Sequence, residues 1–434
     1  MARAAEFERV GSARSRALSN TGRVGTGVML VIVAMLASFA ESWAQSAEHK
    51  PEVQDLNLSF AAPIAIEGVP PREDRNPTLV DVVRPNEEPT ILLVGESPDA
   101  ELLVGATRTS FGTSVPLPIK AYRLSIAEGA MGTLWIGGVR CGRVSIVSIP
   151  LSCGYLAKVD RRGHFFWERE YGKLTERSIQ SVTPLASGDV VVSGKDSDRT
   201  WLARISDDGN IVWERFVGIG KGSATTTIDG VITLAALEAC QCDGSYRENV
   251  AVWSFDQAGK SLGHRVIREG INRAPTQSAA QIRIEKGKGA IYVLSVWMAF
   301  QAQPFEIARL DVRRELVWSK IFPETVWHRG TMDGASFPAT ALLSNDDILF
   351  AMGEQLPAHG FVLSRLDATT GDLSKMAVRV PSNPPPPCIE RWGPIRFMKE
   401  EADNTVTLFG SPPDGQGPMA CGWIGEAVLP KSQR

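Results

Sequence analysis

The chain has 434 residues and a formal net charge of −3; 43% of its residues are hydrophobic and 22% are charged. This composition is that of a globular protein with enough apolar material for a core. No run of Lys or Arg supplies the clustered positive charge that nucleic-acid binding requires, so that function class is excluded, and a polybasic membrane-binding patch is equally absent.

The N-terminal segment has the three parts of an export signal. An arginine-containing lead is followed by an apolar stretch, VMLVIVAMLASFA at 28–40, and then by Ser42 and Ala44 at the −3 and −1 positions of a cleavage site. The alternative is a membrane anchor, but thirteen apolar residues fall short of the roughly 20 that span a bilayer. We therefore expect residues 1–44 to be a signal peptide, and the mature chain to be periplasmic or secreted with no membrane span.

Two apolar segments follow the signal. LNLSFAAPIAI lies within a lead segment at residues 45–78, and TLVDVVRP begins at the end of that segment. Either could form a strand that pairs elsewhere in the fold. Residues 91–107, ILLVGESPDAELLVGAT, are then predicted to form a β-hairpin.

One hairpin pattern recurs five times in the rest of the chain. Each copy has an apolar run, a turn containing Asp or Gly, and a second apolar run. The copies are YLAKVDRRGHFFWER at 155–169, WLARISDDGNIVWER at 201–215, VAVWSFDQAGKSLGH at 250–264, FEIARLDVRRELVWS at 305–319 and FVLSRLDATTGDLSK at 361–375.

The five copies agree residue by residue. One position holds Asp160, Asp256, Asp311 and Asp367, with Ser206 as the exception, and successive copies are 46 to 56 residues apart. The turn position holds Gly163, Gly209, Gly259 and Gly371, and a position after the turn holds Trp167, Trp213 and Trp318. A tryptophan that recurs at one place in a repeat indicates packing between repeats rather than a surface for stacking sugars.

A second hairpin precedes each copy, for example SVTPLASGDVVVSG, IRIEKGKGAIYVLS, ATALLSNDDILFAMG and IRFMKEEADNTVTLFG. Each unit therefore holds four short strands, which is the size of a propeller blade. A linear solenoid is the alternative, but its ends would need capping.

The end of the chain favours a closed ring. The last copy, GWIGEAVLP at 422–430, stops after the third strand of its unit, so an N-terminal strand could complete it and remove an exposed sheet edge. We predict an all-β fold, a β-propeller of about seven four-stranded blades closed by an N-terminal strand, with six or eight blades as alternatives. The propeller would be a single domain at 79–430, followed by a tail at 431–434, and we expect a monomer.

The repeated apolar-apolar-Lys/Arg-x-Asp-x-x-Gly-x-x-x-Trp hairpin resembles that of secreted bacterial β-propellers with pyrroloquinoline-quinone-type or delta-sixty-type repeats. The resemblance covers about residues 122–430 and implies a fold rather than an activity, since such repeats occur in enzymes, assembly factors and proteins of unknown role. It also makes a quinoprotein-like oxidoreductase the alternative function. However, Gln241 separates the cysteines that would have to be adjacent against a quinone, so no cofactor is predicted.

All six cysteines lie in the part of the chain that is expected to be exported, where disulfides form. The repeat suggests three pairs as disulfide candidates: Cys141 with Cys153, Cys388 with Cys421, and Cys240 with Cys242. The alternative for the last pair is a redox couple or half of a metal site, although a zinc site would want further Cys or His nearby.

No catalytic or metal-binding constellation is evident, so an enzymatic activity is uncertain and not favoured. Because propellers bind ligands through loops, the candidates for ligand contact are residues predicted to lie in or near loops. They are Trp297, Trp327, His328, His359 and Trp392. The sequence predicts a non-enzymatic scaffold in the cell envelope that binds an envelope protein or a glycan.

Overall fold

The computed structural model describes a β-strand protein. It describes residues 56–57, 59–65, 79–83, 91–94, 101–107, 110–116, 121–143, 150–160, 162–172, 176–242, 245–270, 280–297, 305–322, 338–356, 360–379, 395–401, 405–410 and 421–429. The predicted signal at 1–44 lies outside these ranges. Within them, the one helical element is a 3₁₀ turn at Ala130–Gly132, and no helix has the length and hydropathy to cross a membrane.

The strands form seven sheets, named here in chain order. Sheet 1 contains β3 (Leu79–Val83), β4 (Ile91–Val94), β5 (Glu101–Thr107) and β6 (Ser110–Pro116). Sheet 2 contains β7 (Tyr122–Glu128), β8 (Leu134–Arg143), β9 (Pro150–Val159) and β10 (Phe165–Tyr171). Sheet 3 contains β11 (Arg177–Pro184), β12 (Val190–Asp196), β13 (Arg199–Ile205) and β14 (Ile211–Val217).

Sheet 4 contains β15 (Ile219–Ile228), β16 (Val231–Cys242), β17 (Ser245–Phe255) and β18 (Ser261–Arg268). Sheet 5 contains β19 (Ala280–Lys286), β20 (Ala290–Trp297), β21 (Phe305–Asp311) and β22 (Leu316–Phe322). Sheet 6 contains β23 (Thr340–Leu342), β24 (Ile348–Leu356), β25 (Gly360–Leu366) and β26 (Leu373–Arg379), and sheet 7 contains β27 (Ile395–Glu400), β28 (Thr405–Gly410) and β29 (Cys421–Val428).

The first two strands of the chain join the last two sheets. β1 (Leu56–Asn57) lies parallel to β26 at the edge of sheet 6, which makes that sheet five-stranded. β2 (Ser59–Ala65) lies antiparallel to β29 and is the fourth strand of sheet 7. Of the two candidate segments, LNLSFAAPIAI therefore supplies the strand that the C-terminal unit lacks, while TLVDVVRP supplies β3. The other six sheets are four-stranded and antiparallel, which is a propeller-like architecture.

Successive sheets pack face to face. Each of five apolar clusters joins a sheet to the next, from sheet 2 through sheet 7. The two middle strands of a sheet are covered on both faces, so they read as continuous apolar runs, as in β12 and β13. The fourth strand is largely exposed, as in β14 and β18. At backbone level β3 also contacts β7 and β27, and β2 contacts β6.

The repeated tryptophans connect sheets 2, 3 and 5 to the sheets that follow them, which confirms their interpretation as packing residues. The indole Nε1–H groups of Trp167, Trp213 and Trp318 donate to backbone carbonyls in the outer hairpin turn of the following sheet. The acceptors are Asp207 at 2.8 Å, Gln257 at 2.9 Å and Ala368 at 3.1 Å. The glycines of those turns, Gly209, Gly259 and Gly371, lie against the same three rings. The repeat motif therefore supplies both the tryptophan of one sheet and the glycine-containing turn of the next sheet that the tryptophan contacts.

A buried ion pair between sheets 4 and 5 makes stability depend on pH. Arg268, at the end of β18, donates to Glu306 on β21, and their side chains are 14% and 4% exposed. Burial raises the pKa of Glu306 above its usual value of 4.5 and outweighs the opposing effect of Arg268. The folded protein therefore binds this proton more tightly than the unfolded chain does, so the group's contribution to stability is present below about pH 4.5 and is lost as the pH rises through the raised pKa.

We expect the free energy of unfolding of the wild-type chain, relative to that of Glu306→Gln, to fall as the pH rises from about 4 to about 7. Urea denaturation across that range measures the difference. Glu315→Gln is the control, because it removes the carboxylate of an exposed ion pair with Arg265 that is worth less than about 1 kcal/mol. A wild-type advantage that grows with pH would contradict the direction of the shift.

Candidate binding cleft

A cleft of about 540 Å³ lies where sheets 5, 6 and 7 meet. It is lined by parts of β19, β23 and β27, the first strands of the three sheets, and by the turns that follow β19 and β23. The four-strand repeat produces this arrangement, because each unit contributes its first strand and first turn at the same place. The volume falls within the roughly 300–1,000 Å³ typical of small-ligand sites.

Three carboxylates of the cleft are held by hydrogen bonds within the protein. Asp346 accepts backbone N–H bonds from Lys288 at 2.8 Å and from Gly289 at 3.3 Å, which ties a turn of sheet 6 to a turn of sheet 5. Asp346 itself has a φ of 68°, a left-handed conformation that suits Asp in a tight turn. The backbone around it is thus fixed by a contact between two sheets.

The other two carboxylates are held in a similar way. Glu285 Oε1 lies 2.7 Å from Arg283 Nε and accepts a hydrogen bond from Thr340 Oγ1 at 3.4 Å. Glu400 on β27 accepts hydrogen bonds from both the backbone N–H and the hydroxyl of Ser344. These contacts again link one sheet to the next, so the rim of the cleft is an organised network.

Two of the positively charged side chains that line the cleft are exposed to solvent. Lys286 and Lys288 flank Gly287 in the turn between β19 and β20, and both are exposed. Among the residues that the structure describes, no carboxylate forms an ion pair with either ammonium group. Lys399 on β27 also lines the cleft, and so do four aliphatic side chains, Ala341, Leu342, Leu343 and Met398, of which all but Leu342 are buried. The cleft therefore combines the exposed ammonium groups of Lys286 and Lys288 with carboxylates, over aliphatic side chains that are largely buried.

The ligand candidates predicted from the sequence lie elsewhere or cannot be placed. Trp297 ends β20, opposite Ala280 of β19, and its side chain is not among those described. Trp327, His328, His359 and Trp392 lie outside the described residues. The prediction that these five residues contact a ligand stays a prediction.

The cysteine pairs are also predictions still. Cys153 is a thiol that lies 4.0 Å from Glu170 Oε2, and the register places it opposite Arg140, while Cys141 lies opposite Ser152. The two residues of the predicted Cys141–Cys153 bridge are therefore diagonal neighbours on β8 and β9. Cys421 begins β29, and Cys388 lies outside the described residues. Cys240 and Cys242 share the end of β16, and the described residues contain no group of three or more metal-ligating side chains.

Sequence reasoning placed the hairpins of the cleft but missed their joint role. The segments IEKGKGA, LLSNDD and FMKEE were identified as first hairpins of three successive units. Each carries its charges at the first turn, and this recurrence was the available signal. Since those turns are far apart in sequence, only the stacking of consecutive sheets reveals that they share one cleft.

Comparison with known proteins leaves the family open. No protein-family model matches the chain, and no curated protein matches it. Among solved structures, the chain is similar to a protein of unknown function from Dyadobacter fermentans, with 11% identity, a TM-score of 0.47, and 86% of this chain and 99% of that chain covered. It is similar to a chain of the Drosophila plexin A–semaphorin 1b complex, with 9% identity, a TM-score of 0.44, and 87% and 88% covered.

A third similar structure is an ulvan lyase of polysaccharide lyase family 25 in complex with a glucuronic acid–sulfated rhamnose unit. Its identity to this chain is 9% and its TM-score is 0.42, with 87% of this chain and 93% of that chain covered. Likenesses at this level carry no argument about function, so the fold assignment depends on the strand pairing above.

Proposed function

We propose that this chain is an exported, non-enzymatic β-propeller of seven blades, closed by β2, that acts as a binding scaffold in the cell envelope. The pairing of β2 with β29 and the contact between β3 and β27 support a closed ring, since they bring the first and last sheets of the chain together. The N-terminal pattern of arginines, apolar residues and small residues supports export.

The observation that carries the binding role is the cleft between sheets 5, 6 and 7. Its carboxylates hold neighbouring turns in place, which leaves a rigid concave surface with exposed ammonium groups. A preformed site of this kind loses little entropy on binding, as expected of a scaffold. Of the two partner classes, a glycan is favoured over a protein, because the exposed ammonium groups and the carboxylates of the cleft complement the charged and hydroxyl groups of a sugar chain.

Binding of the mature chain to immobilised envelope polysaccharides, measured by biolayer interferometry, tests this function. We expect saturable binding to one polysaccharide class, above that of an unrelated propeller of similar charge. The matched experiment captures envelope proteins on the same immobilised chain after cross-linking. Failure of both, with neither a polysaccharide nor a protein retained above the control propeller, would contradict the scaffold function.

A further inference from the structure

We propose that the cleft between sheets 5, 6 and 7 recognises an anionic oligosaccharide of the uronic acid class. This inference rests on the proposed function and names the ligand chemistry of its site. The chemistry of the ligand follows from which charged groups of the cleft are already paired within the protein and which can still bind a ligand.

The positive charge of the cleft is available to a ligand. Arg283 is paired with Glu285, but Lys286 and Lys288 are exposed at the rim, and no carboxylate within the described part of the chain is ion-paired with them. A concave surface with uncompensated ammonium groups attracts anions from solution. A lysine ammonium also binds a carboxylate as a point charge with three donors, so it tolerates several orientations of the ligand.

The carboxylates of the cleft decide what else the ligand must carry. An ionised carboxylate has about four lone-pair sites, and Glu285 uses Oε1 for both of its contacts within the protein. Glu400 accepts one hydrogen bond at each oxygen, from Ser344. Both side chains line the cleft and keep acceptor capacity, and the ligand groups that complement it are hydroxyl donors.

A ligand that complements the cleft needs both anionic groups for the lysines and hydroxyl donors for the carboxylates. An acidic peptide supplies anions for the lysines but offers no hydroxyl donors to Glu285 and Glu400. A neutral sugar supplies hydroxyls but leaves the lysines without a partner. A uronic acid oligosaccharide carries hydroxyl donors and a carboxylate on each ring, so it supplies both kinds of group.

Titration calorimetry with trigalacturonic acid tests the proposal on the full mature chain. We expect binding that weakens as the salt concentration rises, since the ion pairs are close to solvent. The double substitution Lys286→Gln with Lys288→Gln is expected to weaken binding about tenfold, at up to ~1 kcal/mol for each exposed ion pair. Lys260→Gln is the matched control, because it removes an exposed lysine from the outer hairpin turn of sheet 4 and should leave binding unchanged.

Two further ligands test whether binding requires both the carboxylates and the hydroxyl groups of the trisaccharide. The same trisaccharide with its carboxyl groups reduced to alcohols should bind at least tenfold more weakly, and so should triglutamate. Equal binding of the reduced trisaccharide, equal binding of triglutamate, or unchanged affinity in the double lysine variant would each overturn the inference. If a different envelope polysaccharide binds and the lysine variant binds it normally, the scaffold function stands and this inference fails.

Discussion

Asp347→Ala is expected to lower the free energy of unfolding by about 3–5 kcal/mol. Asp347 lies just before β24 with its side chain 5% exposed, and its Oδ2 accepts a hydrogen bond from Arg365 Nε at 2.7 Å and is 2.6 Å from Nη2. Its Oδ1 accepts the backbone N–H of Ala368 at 2.8 Å. Removal of the carboxylate leaves the largely buried guanidinium of Arg365 without its counter-charge and the N–H of Ala368 without its acceptor, which is why the cost exceeds that of an exposed ion pair.

Two variants separate this cause from a general loss of packing. Asp347→Ala combined with Arg365→Met removes both charges, so urea denaturation should show much of the loss recovered. Asp372→Ala, at an exposed position in the outer hairpin turn of the same sheet, should change stability by less than about 0.5 kcal/mol. Equal losses in the single and double variants would contradict a role for the buried charge.

The same ion pair occurs in sheet 3, where Arg204 Nε donates to Asp189 Oδ2 at 2.7 Å. In both sheets the Asp precedes the second strand and the Arg lies on the third. In sheet 6 the pair adjoins Asp346, which orders the rim of the cleft. We therefore expect Asp347→Ala to weaken ligand binding in the cleft as well as to lower the free energy of unfolding.

The hairpin repeat was predictable because its evidence is local. The Asp, Gly and Trp positions recur within fifteen residues, so the alternation of strands, the turns and the packing role of Trp213 could all be inferred from the sequence. The missing fourth strand of the last unit was also predictable, since GWIGEAVLP ends without one and sheet geometry requires a partner. The pairing of β2 with β29 answers that requirement.

Other features depend on information that the sequence does not carry locally. β1 is only Leu56–Asn57, too short for any periodicity, and its parallel pairing with β26 follows from where β2 is held. The cleft combines Lys288, Ser344 and Glu400, which belong to three units and become neighbours only when sheets stack. Within a single unit, charged residues at a turn indicate only that the turn is exposed to solvent. A site shared by three units was therefore not predicted from them.

Gly259→Ala is expected to lower the free energy of unfolding by about 2–5 kcal/mol for two separable reasons. Gly259 has a φ of +79°, and an L-residue there costs about 1–2 kcal/mol. A Cβ at this position would also lie 2.7 Å from Cδ2 of Trp213, in the preceding sheet, and overpacking of that kind costs about 1–3 kcal/mol.

A double-mutant cycle with Trp213→Ala isolates the second cost. Trp213→Ala alone loses apolar contact and the hydrogen bond to Gln257, about 2 kcal/mol in total. In the double variant the methyl group introduced by Gly259→Ala meets no indole ring, so we expect the combined loss to be smaller than the sum of the single losses by about 1–3 kcal/mol.

Gly230→Ala provides the control for the backbone cost. Its φ of +74° is close to that of Gly259, but a Cβ there would meet only Gln257 Nε2 at the ordinary contact distance of 3.5 Å. Gly230→Ala should therefore show the cost of about 1–2 kcal/mol without coupling to Trp213. If Gly259→Ala, like Gly230→Ala, showed no coupling to Trp213→Ala, the turn would need glycine only for its positive φ. Coupling confined to Gly259 would mean that the repeat keeps Gly and Trp because each sheet fits its outer turn beneath the indole of the preceding sheet.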